Sequence, residues 1–104
     1  MILEAGNLEE ARAAILKNAG RKIILKNPSG SHSYAGLLYI KEMFAAARAE
    51  FSEEKLENAF DAEDNAAVAI AALKGGFKKI FFCGNAEIKK KIVDIAKQFN
   101  AKVI

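Results

Sequence analysis

A stretch that recurs along the chain constrains the fold more than any other feature of this sequence. Leu16–Leu25 aligns without gaps on Leu73–Phe82, and Lys97–Ile104 is a third, partial copy. Each copy has lysine at the end of a helical pattern, then glycine or asparagine, a basic residue and an apolar run rich in β-formers. Lysine suits the negative end of a helix dipole, and glycine or asparagine closes a helix C-terminus. The repeat therefore predicts a helix-to-strand junction used three times.

Alternating helices and strands predict an α/β domain with a mostly parallel sheet. The run Ile80–Phe82 is typical of a strand that is buried on both faces, which favours helices on each side of the sheet. We therefore expect a single three-layer α/β/α domain with four or five strands and about four helices. Five strands would suit a flavodoxin-like order and four a Rossmann-like half, and the sequence leaves both open.

Local patterns give approximate bounds for each element. Asn7 with Glu10 predicts an N-cap and a capping box, and Asp64 or Asn65 and then Asn85 predict two further helix starts. The apolar face of the longest helix is predicted to include Leu37, Leu38, Ile40, Met43, Phe44 and Ala47. That of the last helix is predicted to include Ile88, Ile92, Ile95, Ala96 and Phe99. The predicted strands are Ile2–Leu3, Lys22–Lys26, Leu56–Phe60, Lys79–Cys83 and Ala101–Ile104, and the predicted helices are 8–18, 33–50, 66–73 and 86–99.

Composition restricts the class of protein. With 104 residues, 52% of them hydrophobic, the chain predicts one globular domain spanning residues 1–104. A single cysteine excludes an internal disulfide, and the longest nearly apolar run, 66–73, is far too short to span a membrane. The start has no signal-peptide pattern, so we expect a cytoplasmic protein. A net charge of +3, with dispersed basic residues, gives no reason to expect nucleic acid as a partner.

Three polar loops follow predicted strands and should meet at one edge of a parallel sheet. They are 27–34, 61–65 and 83–85, and the first holds the only proline and the only histidine. Ligands usually bind at this carboxyl edge in open α/β sheets. The residues brought together there would be Ser29, Ser31, His32, Ser33, Tyr34, Asp61, Glu63, Asp64, Cys83 and Asn85.

Hydroxyl and amide groups at this edge predict a site for a small anion. The contacts expected are Ser29, Ser31, Ser33, Tyr34 and Asn85, because backbone N–H groups at a helix start attract phosphate or carboxylate. The same serines could instead cap the following helix. Neither the phosphate-binding P-loop pattern nor the dinucleotide glycine pattern is present, so no cofactor is expected.

A catalytic interpretation rests on His32, with Asp61 or Asp64 as the carboxylate that would orient it. The simpler alternative is an exposed loop histidine. The acidic residues Asp61, Glu63 and Asp64 could bind Mg²⁺, but an acidic first turn that complements a helix dipole explains them better, and no metal site is expected. Cys83 is expected to be buried and inert, because position 89 is lysine rather than the arginine of a phosphate-binding cysteine loop.

Two resemblances accompany these patterns. Phe60-Asp61, Asp64, the segment 66–73 with Gly76, and Lys79–Gly84 resemble small uncharacterised bacterial Rossmann-like proteins, which implies a fold and no activity. Ile23–Leu25, Ser29–Ser31 and Ala35–Leu38 resemble the strand, phosphorylatable serine loop and helix of STAS (anti-sigma-antagonist) domains. The aspartate-serine-small-glycine core of that loop is absent here, and an extra β-α-β unit follows the helix, which disfavours the second resemblance.

The function predicted from the sequence is a non-catalytic domain that binds a small anion or a partner protein through the loops at one sheet edge. One alternative is a small enzyme that uses His32 with Asp61 or Asp64. Another is a STAS-like regulatory protein that is switched at a serine within 29–33. A chain that ends on a strand also leaves a homodimer open, since a second copy could pair with the sheet edge.

Overall fold

The computed structural model describes residues 1–28, 30, 34–52 and 55–104, with the backbone alone at 34 and 35. Its helices and strands alternate along the described chain, as the repeated junction predicts. The strands are β1 (Ile2–Glu4), β2 (Ile23–Lys26), β3 (Leu56–Asp61), β4 (Lys79–Phe81) and β5 (Lys102–Val103), and the helices are α1 (Leu8–Lys17), α2 (Tyr34–Glu50), α3 (Ala66–Lys74) and α4 (Ala86–Gln98).

Asparagine side chains start three of the helices. Asn7 accepts a hydrogen bond from the backbone N–H of Glu10. In the same way, Asn65 accepts from the N–H of Val68, and Asn85 accepts from the N–H of Ile88. Each bond satisfies an N–H that the helix itself leaves unpaired. The predicted caps Asn7 and Asn85 are confirmed, and of the two candidates for α3 the cap is Asn65.

The five strands form one parallel sheet in the sequential order β1-β2-β3-β4-β5. The predicted class, a single α/β domain with a parallel sheet and four helices, is confirmed. The order itself differs from the flavodoxin order and from the Rossmann order, both of which reverse direction inside the sheet. A sequential order has no reversal, and right-handed crossovers then place successive helices on the same face.

Burial confirms that one face of the sheet carries the helices. In β2, Ile23 and Leu25 are fully buried, whereas Ile24 and Lys26 on the opposite face are only partly covered. One core cluster contains every buried apolar residue of the described chain except Ala59, which lies on that opposite face. The layering is therefore helices on one face of a sheet rather than the three layers expected. In the run Ile80–Phe82, Ile80 and Phe82 are buried under the helices, whereas Phe81 lies on the opposite face and is only partly covered.

Two predicted core positions are exposed. Leu38 is 62% exposed, because the buried stripe of α2 runs through Ile40, Met43, Phe44 and Ala47, and a residue two positions before that stripe lies on the far side of the helix. Ile88 is 38% exposed in the first turn of α4, ahead of the buried Ile92 and Ala96. No described helix is both long enough and apolar enough to cross a membrane.

Candidate functional site

At the carboxyl edge of the sheet, the side chain of Asn27 ties β2 to β3. Its Nδ2 donates to the backbone oxygen of Asp61 at 3.0 Å, and its Oδ1 accepts from the backbone N–H of Asp61 at 2.7 Å. Asn27 is the buried polar residue of the described chain, with no exposed surface. Pro28 follows it and has no N–H, so the amide of Asn27 continues the strand pairing where the backbone cannot.

Lys26 lies beside this amide, on the sheet face away from the helices. Its Nζ is 2.7 Å from Asp61 Oδ2, 3.1 Å from Glu4 Oε1 and 3.2 Å from the backbone oxygen of Asn27. Burial by itself lowers the pKa of Lys26, but the hydrogen bonds and charges of Asp61 and Glu4 outweigh it and raise the pKa above 10.5. The ammonium also lies 5.7 Å from the centre of the Phe81 ring. All three of its protons have acceptors, so Lys26 is a cross-link of the sheet.

Glu63 connects the three loops of this edge. Its backbone N–H donates to Asp61 Oδ1 at 2.9 Å, and its backbone oxygen accepts from the N–H of Cys83 at 2.7 Å. Its carboxylate accepts from the N–H of Gly30. Glu63 makes these bonds with a φ of 51°, a left-handed conformation that is uncommon for residues other than glycine. The connectivity argument is confirmed for the described parts of these loops, which meet at one edge.

Several predicted site residues can be located at this edge. Asp61 is held by Lys26 and Glu63, Asp64 is exposed, and the side-chain oxygen of Asn85 caps α4. Ser29, Ser31, His32 and Ser33 lie outside the described residues, as does the side chain of Tyr34. The serine contacts and the pairing of His32 with Asp61 or Asp64 therefore stay predictions. Cys83 is exposed rather than buried, because Phe82 takes the last inward position and Cys83 follows it into the loop.

The described part of this edge is acidic. A shallow depression of about 480 Å³ has Asp61, Glu63 and Asp64 as its charged lining residues. Within the described ranges, no group of three or more histidine, cysteine or acidic side chains has the geometry to hold a metal ion. These carboxylates repel an anion from their side of the edge, so an anion site there would depend on the loop at 29–33.

A second concave region lies at the other end of β3, and we call it the amino-end cleft. It is a cavity of about 430 Å³, lined by α2 residues Lys41, Ala45 and Arg48, by Glu57 and Asn58 of β3, and by 75–79, which join α3 to β4. The hydrogen-bonded register joins β3 to β4 at Phe60–Ile80 and Asp61–Phe81, farther along both strands. The cleft therefore opens at the amino ends of β3 and β4, ahead of the residues through which these two strands are paired.

Basic side chains dominate the cleft. Its lining contains four cationic residues, Lys41, Arg48, Lys78 and Lys79, and one acid, Glu57. Lys78 Nζ donates to the backbone oxygen of Phe99 at 2.6 Å, and Lys79 Nζ lies 3.3 Å from Glu57 Oε2. Within the described ranges, Lys41 and Arg48 have neither an ion pair nor a side-chain hydrogen bond. Two positive charges thus face the cleft without a counter-charge.

Two buried oxygens in the same cleft lack a hydrogen-bond donor. Asn58 Oδ1 and Glu57 Oε2 are both shielded from solvent and unbonded among the described residues, and the 3.3 Å approach of Lys79 lacks hydrogen-bond geometry. A buried acceptor without a donor costs about 1–3 kcal/mol, and the ion pair with Lys79 offsets that cost for Glu57 Oε2 but not for Asn58 Oδ1. Asn58 Oδ1 is therefore a buried acceptor whose hydrogen-bonding capacity the described residues leave unmet.

The cleft was not predicted from the sequence, which carries only two weak signals of it. Lys41, Ala45 and Arg48 follow a helical spacing beside the buried stripe of α2, which groups two cations on one flank. Asn58 interrupts the alternation of the predicted strand Leu56–Phe60 and pairs with the fully buried Leu25. A polar residue on the core side of a strand is unusual unless it is bonded or faces a cavity.

The fold and these two regions define a small one-sided α/β domain with a closed polar network at one end of its sheet and an open basic cleft at the other. Over 90 residues the chain is 37% identical to the Rickettsia prowazekii (strain Madrid E) protein named "Uncharacterized protein RP547". That match covers 86% of this chain and 84% of the Rickettsia protein, and the chain belongs to the same family. No protein-family model matches the sequence.

Proposed function

We propose that this protein is a binding domain for a small anionic molecule and that the amino-end cleft is its site. The single observation that carries the proposal is a cavity whose lining includes Lys41 and Arg48, two cations without an ion pair or a side-chain hydrogen bond within the described ranges. A volume of about 430 Å³ suits a small metabolite, since ligand sites in proteins typically measure about 300–1,000 Å³.

Arg48 and Lys41 would supply the attraction. They are seven residues apart on α2, which separates them by about 10 Å along the helix axis, so they can approach an anion from two directions. The guanidinium of arginine binds a phosphate or carboxylate through two parallel hydrogen bonds, and lysine adds a mobile point charge. These roles require only binding, in keeping with the non-catalytic function predicted from the sequence.

The serine-rich loop stays a second candidate for the anion site, with Ser29, Ser31, Ser33, Tyr34 and Asn85 as its expected contacts. One observation favours the cleft over this loop. The depression at the carboxyl edge has Asp61, Glu63 and Asp64 as its charged lining residues, and Asn85 Oδ1 already accepts the N–H of Ile88 at 2.9 Å. The enzyme that uses His32, the serine switch, the homodimer and the cytoplasmic location likewise stay predictions.

Titration of the ¹⁵N-labelled protein with inorganic phosphate, followed by two-dimensional NMR, tests the proposal. We expect shifts concentrated at the amides of 41–48, 57–58 and 75–79. The variant Arg48→Gln should bind phosphate roughly tenfold more weakly, which is the usual effect of removing one charged hydrogen-bond donor. A matched control, Lys90→Gln, removes an exposed positive charge of α4 outside the cleft and should bind like the unmodified protein. Shifts confined to residues near the loop 27–34 would assign the site to the carboxyl edge instead.

A further inference from the structure

The described helices cover one face of the parallel sheet and leave the other face open. We call the second one the open face; it carries Ile24 and Lys26 of β2, opposite the buried Ile23 and Leu25. All-parallel sheets occur almost only where both faces are covered, so a face of this kind is incomplete by itself. We infer that two copies of this chain form a symmetric dimer through the open face. Such a dimer does not require a ligand in the amino-end cleft.

An apolar stripe crosses the open face diagonally. It contains one residue in or directly after each strand, namely Ile2, Ile24, Ala59, Phe81 and Ile104. Ile2 and Ile104 at its two ends are 49% and 46% exposed. Ile24 and Phe81 are half-buried, and neither packs against the hydrophobic core. Ala59 is buried between them, so the four larger side chains form the apolar surface. Apolar groups that lie together outside the core are typical of an interaction surface.

Charged residues flank this stripe on both sides, and the two flanks differ in sign. Three lysines and one glutamate give the flank toward the amino ends of the strands a net charge of +2: Lys22, Lys79, Lys102 and Glu57. Two carboxylates and one lysine give the flank toward the carboxyl ends a net charge of −1: Glu4, Asp61 and Lys26. The acidic depression at the carboxyl edge, which Phe81 and Ile104 also line, extends the negative side.

This distribution of charge fits a second copy of the same face. A two-fold axis along the stripe lays one stripe on the other and sets the positive flank of each copy against the negative flank of its partner. A two-fold axis across the stripe would bring like flanks together, which costs free energy. A strongly acidic or strongly basic partner would match one flank only. The pattern therefore favours a two-fold dimer, the commonest symmetry among homo-oligomers, and it specifies the direction of the axis.

The size of the open face predicts that the dimer is weak. Five strands about 4.8 Å apart span roughly 20 Å. The face offers about twelve residues, roughly half of the 20–30 that each side of a stable interface typically contributes. We therefore expect a reversible dimer whose dissociation constant is on the order of 10–100 µM.

Sedimentation velocity at increasing protein concentration tests the inference. The unmodified protein should change from monomer to dimer between about 5 µM and about 500 µM. Phe81→Ala removes the largest side chain of the stripe and should weaken the dimer at least roughly tenfold, because central aromatic residues dominate small interfaces. The matched control is Tyr39→Ala, which removes a 52% exposed aromatic ring from α2 and should dimerise like the unmodified protein.

A charge exchange tests the direction of the axis. Glu4→Lys makes the negative flank positive and should weaken the dimer roughly tenfold. Adding Lys22→Glu should recover much of that loss, because the axis sets these two residues of opposite flanks, at the same end of the stripe, against each other. Both side chains are exposed, at 51% for Glu4 and 65% for Lys22, so the variants should fold.

Three results would overturn the inference. The first is a monomer over the whole concentration range. The second is an unchanged dimer in Phe81→Ala, provided that this variant melts cooperatively, because β4 is not an edge strand and pairing at the sheet edge would not involve Phe81. The third is a double variant that dimerises as weakly as Glu4→Lys alone. None of the substituted residues lines the amino-end cleft, so phosphate binding there is tested separately.

Discussion

Polar side chains at the two ends of the sheet differ in how completely they are hydrogen-bonded. At the carboxyl edge, Asn27, Lys26 and Asp61 bond to one another and to backbone groups, and each has its hydrogen-bonding needs met by the protein. In the amino-end cleft, Asn58 Oδ1 is buried without a hydrogen-bond donor, and Lys41 and Arg48 line the same cavity without a counter-charge among the described residues. A closed network adds stability, whereas a buried polar atom without a partner costs stability. This difference is the reason why we propose a structural role for one end and a binding role for the other.

The largest expected effect compares two asparagines. Asn27→Ala leaves the backbone N–H and the backbone oxygen of Asp61 without their partner, so the free energy of unfolding should fall by about 3 kcal/mol. Asn58→Leu removes an oxygen that has no donor and should leave stability unchanged or slightly higher. Urea denaturation followed by circular dichroism measures both. Equal losses in the two variants would break the contrast between the two ends.

The next effect concerns Lys26, whose side chain is 13% exposed. Lys26→Met leaves the carboxylates of Asp61 and Glu4 without the cation that they share. We expect the free energy of unfolding to fall by about 2 kcal/mol at neutral pH. The pKa of Lys26 is raised on folding, so the unfolded chain loses its proton first, near 10.5. The stabilisation by Lys26 is therefore complete below that pH and is lost as the pH rises through the folded-state pKa.

This pH dependence is measurable as a difference between two proteins. The gap in unfolding free energy between the unmodified protein and Lys26→Met should be constant near pH 9 and should narrow as the pH rises past 10.5. Lys102→Met, an exposed lysine in β5, is the matched control and should show no such narrowing. A gap that stays constant over this range would show that the charge of Lys26 does not stabilise the fold.

A smaller effect on stability is expected at Gly84, which lies against the buried ring of Phe82. A Cβ built on Gly84 would overlap Cζ of Phe82, and Phe82 is 3% exposed, so the ring has little room to move. Gly84→Ala should cost about 1–2 kcal/mol by forcing this ring to shift. Gly20→Ala gives a useful contrast, since a Cβ there meets no described atom within 4 Å and its cost comes only from a φ of 84°. Thermal denaturation of the two variants separates crowding from backbone strain.

The smallest stability effect should come from the cleft itself. Arg48→Gln changes an exposed side chain and is expected to alter the free energy of unfolding by no more than about 0.5 kcal/mol. Its consequence should appear in ligand binding alone. A strong loss of stability in Arg48→Gln would indicate that the cations of the cleft are structural, like Lys26, and the comparison of the two ends would fail.

Much of the fold follows from local signals in the sequence. Asn7 and Asn85 start helices because their short side chains reach a free backbone N–H, and this needs only neighbours in the chain. The repeated junction predicts alternating elements, since glycine and asparagine end helices wherever they occur. The strand order was left open by the sequence. Alternation fixes neither which strands pair nor which face the helices cover, because both depend on packing between distant segments.

The candidate sites also divide into one that the sequence predicts and one that only the structure shows. Connectivity alone places the loops after β2, β3 and β4 at one edge, and Glu63 bonds to Gly30 and Cys83 as that argument requires. The cleft was not predicted, because Arg48, Asn58 and Gly76 are far apart in the chain and carry no shared motif. The sequence by itself determined the elements, their caps and the parallel α/β class, which depend on short-range hydrogen bonds and periodicity. Only the tertiary structure decided that one face carries the helices and that a cavity lies beside Asn58 at the amino ends of β3 and β4. A cavity exists only where elements that are distant in the chain leave space between them.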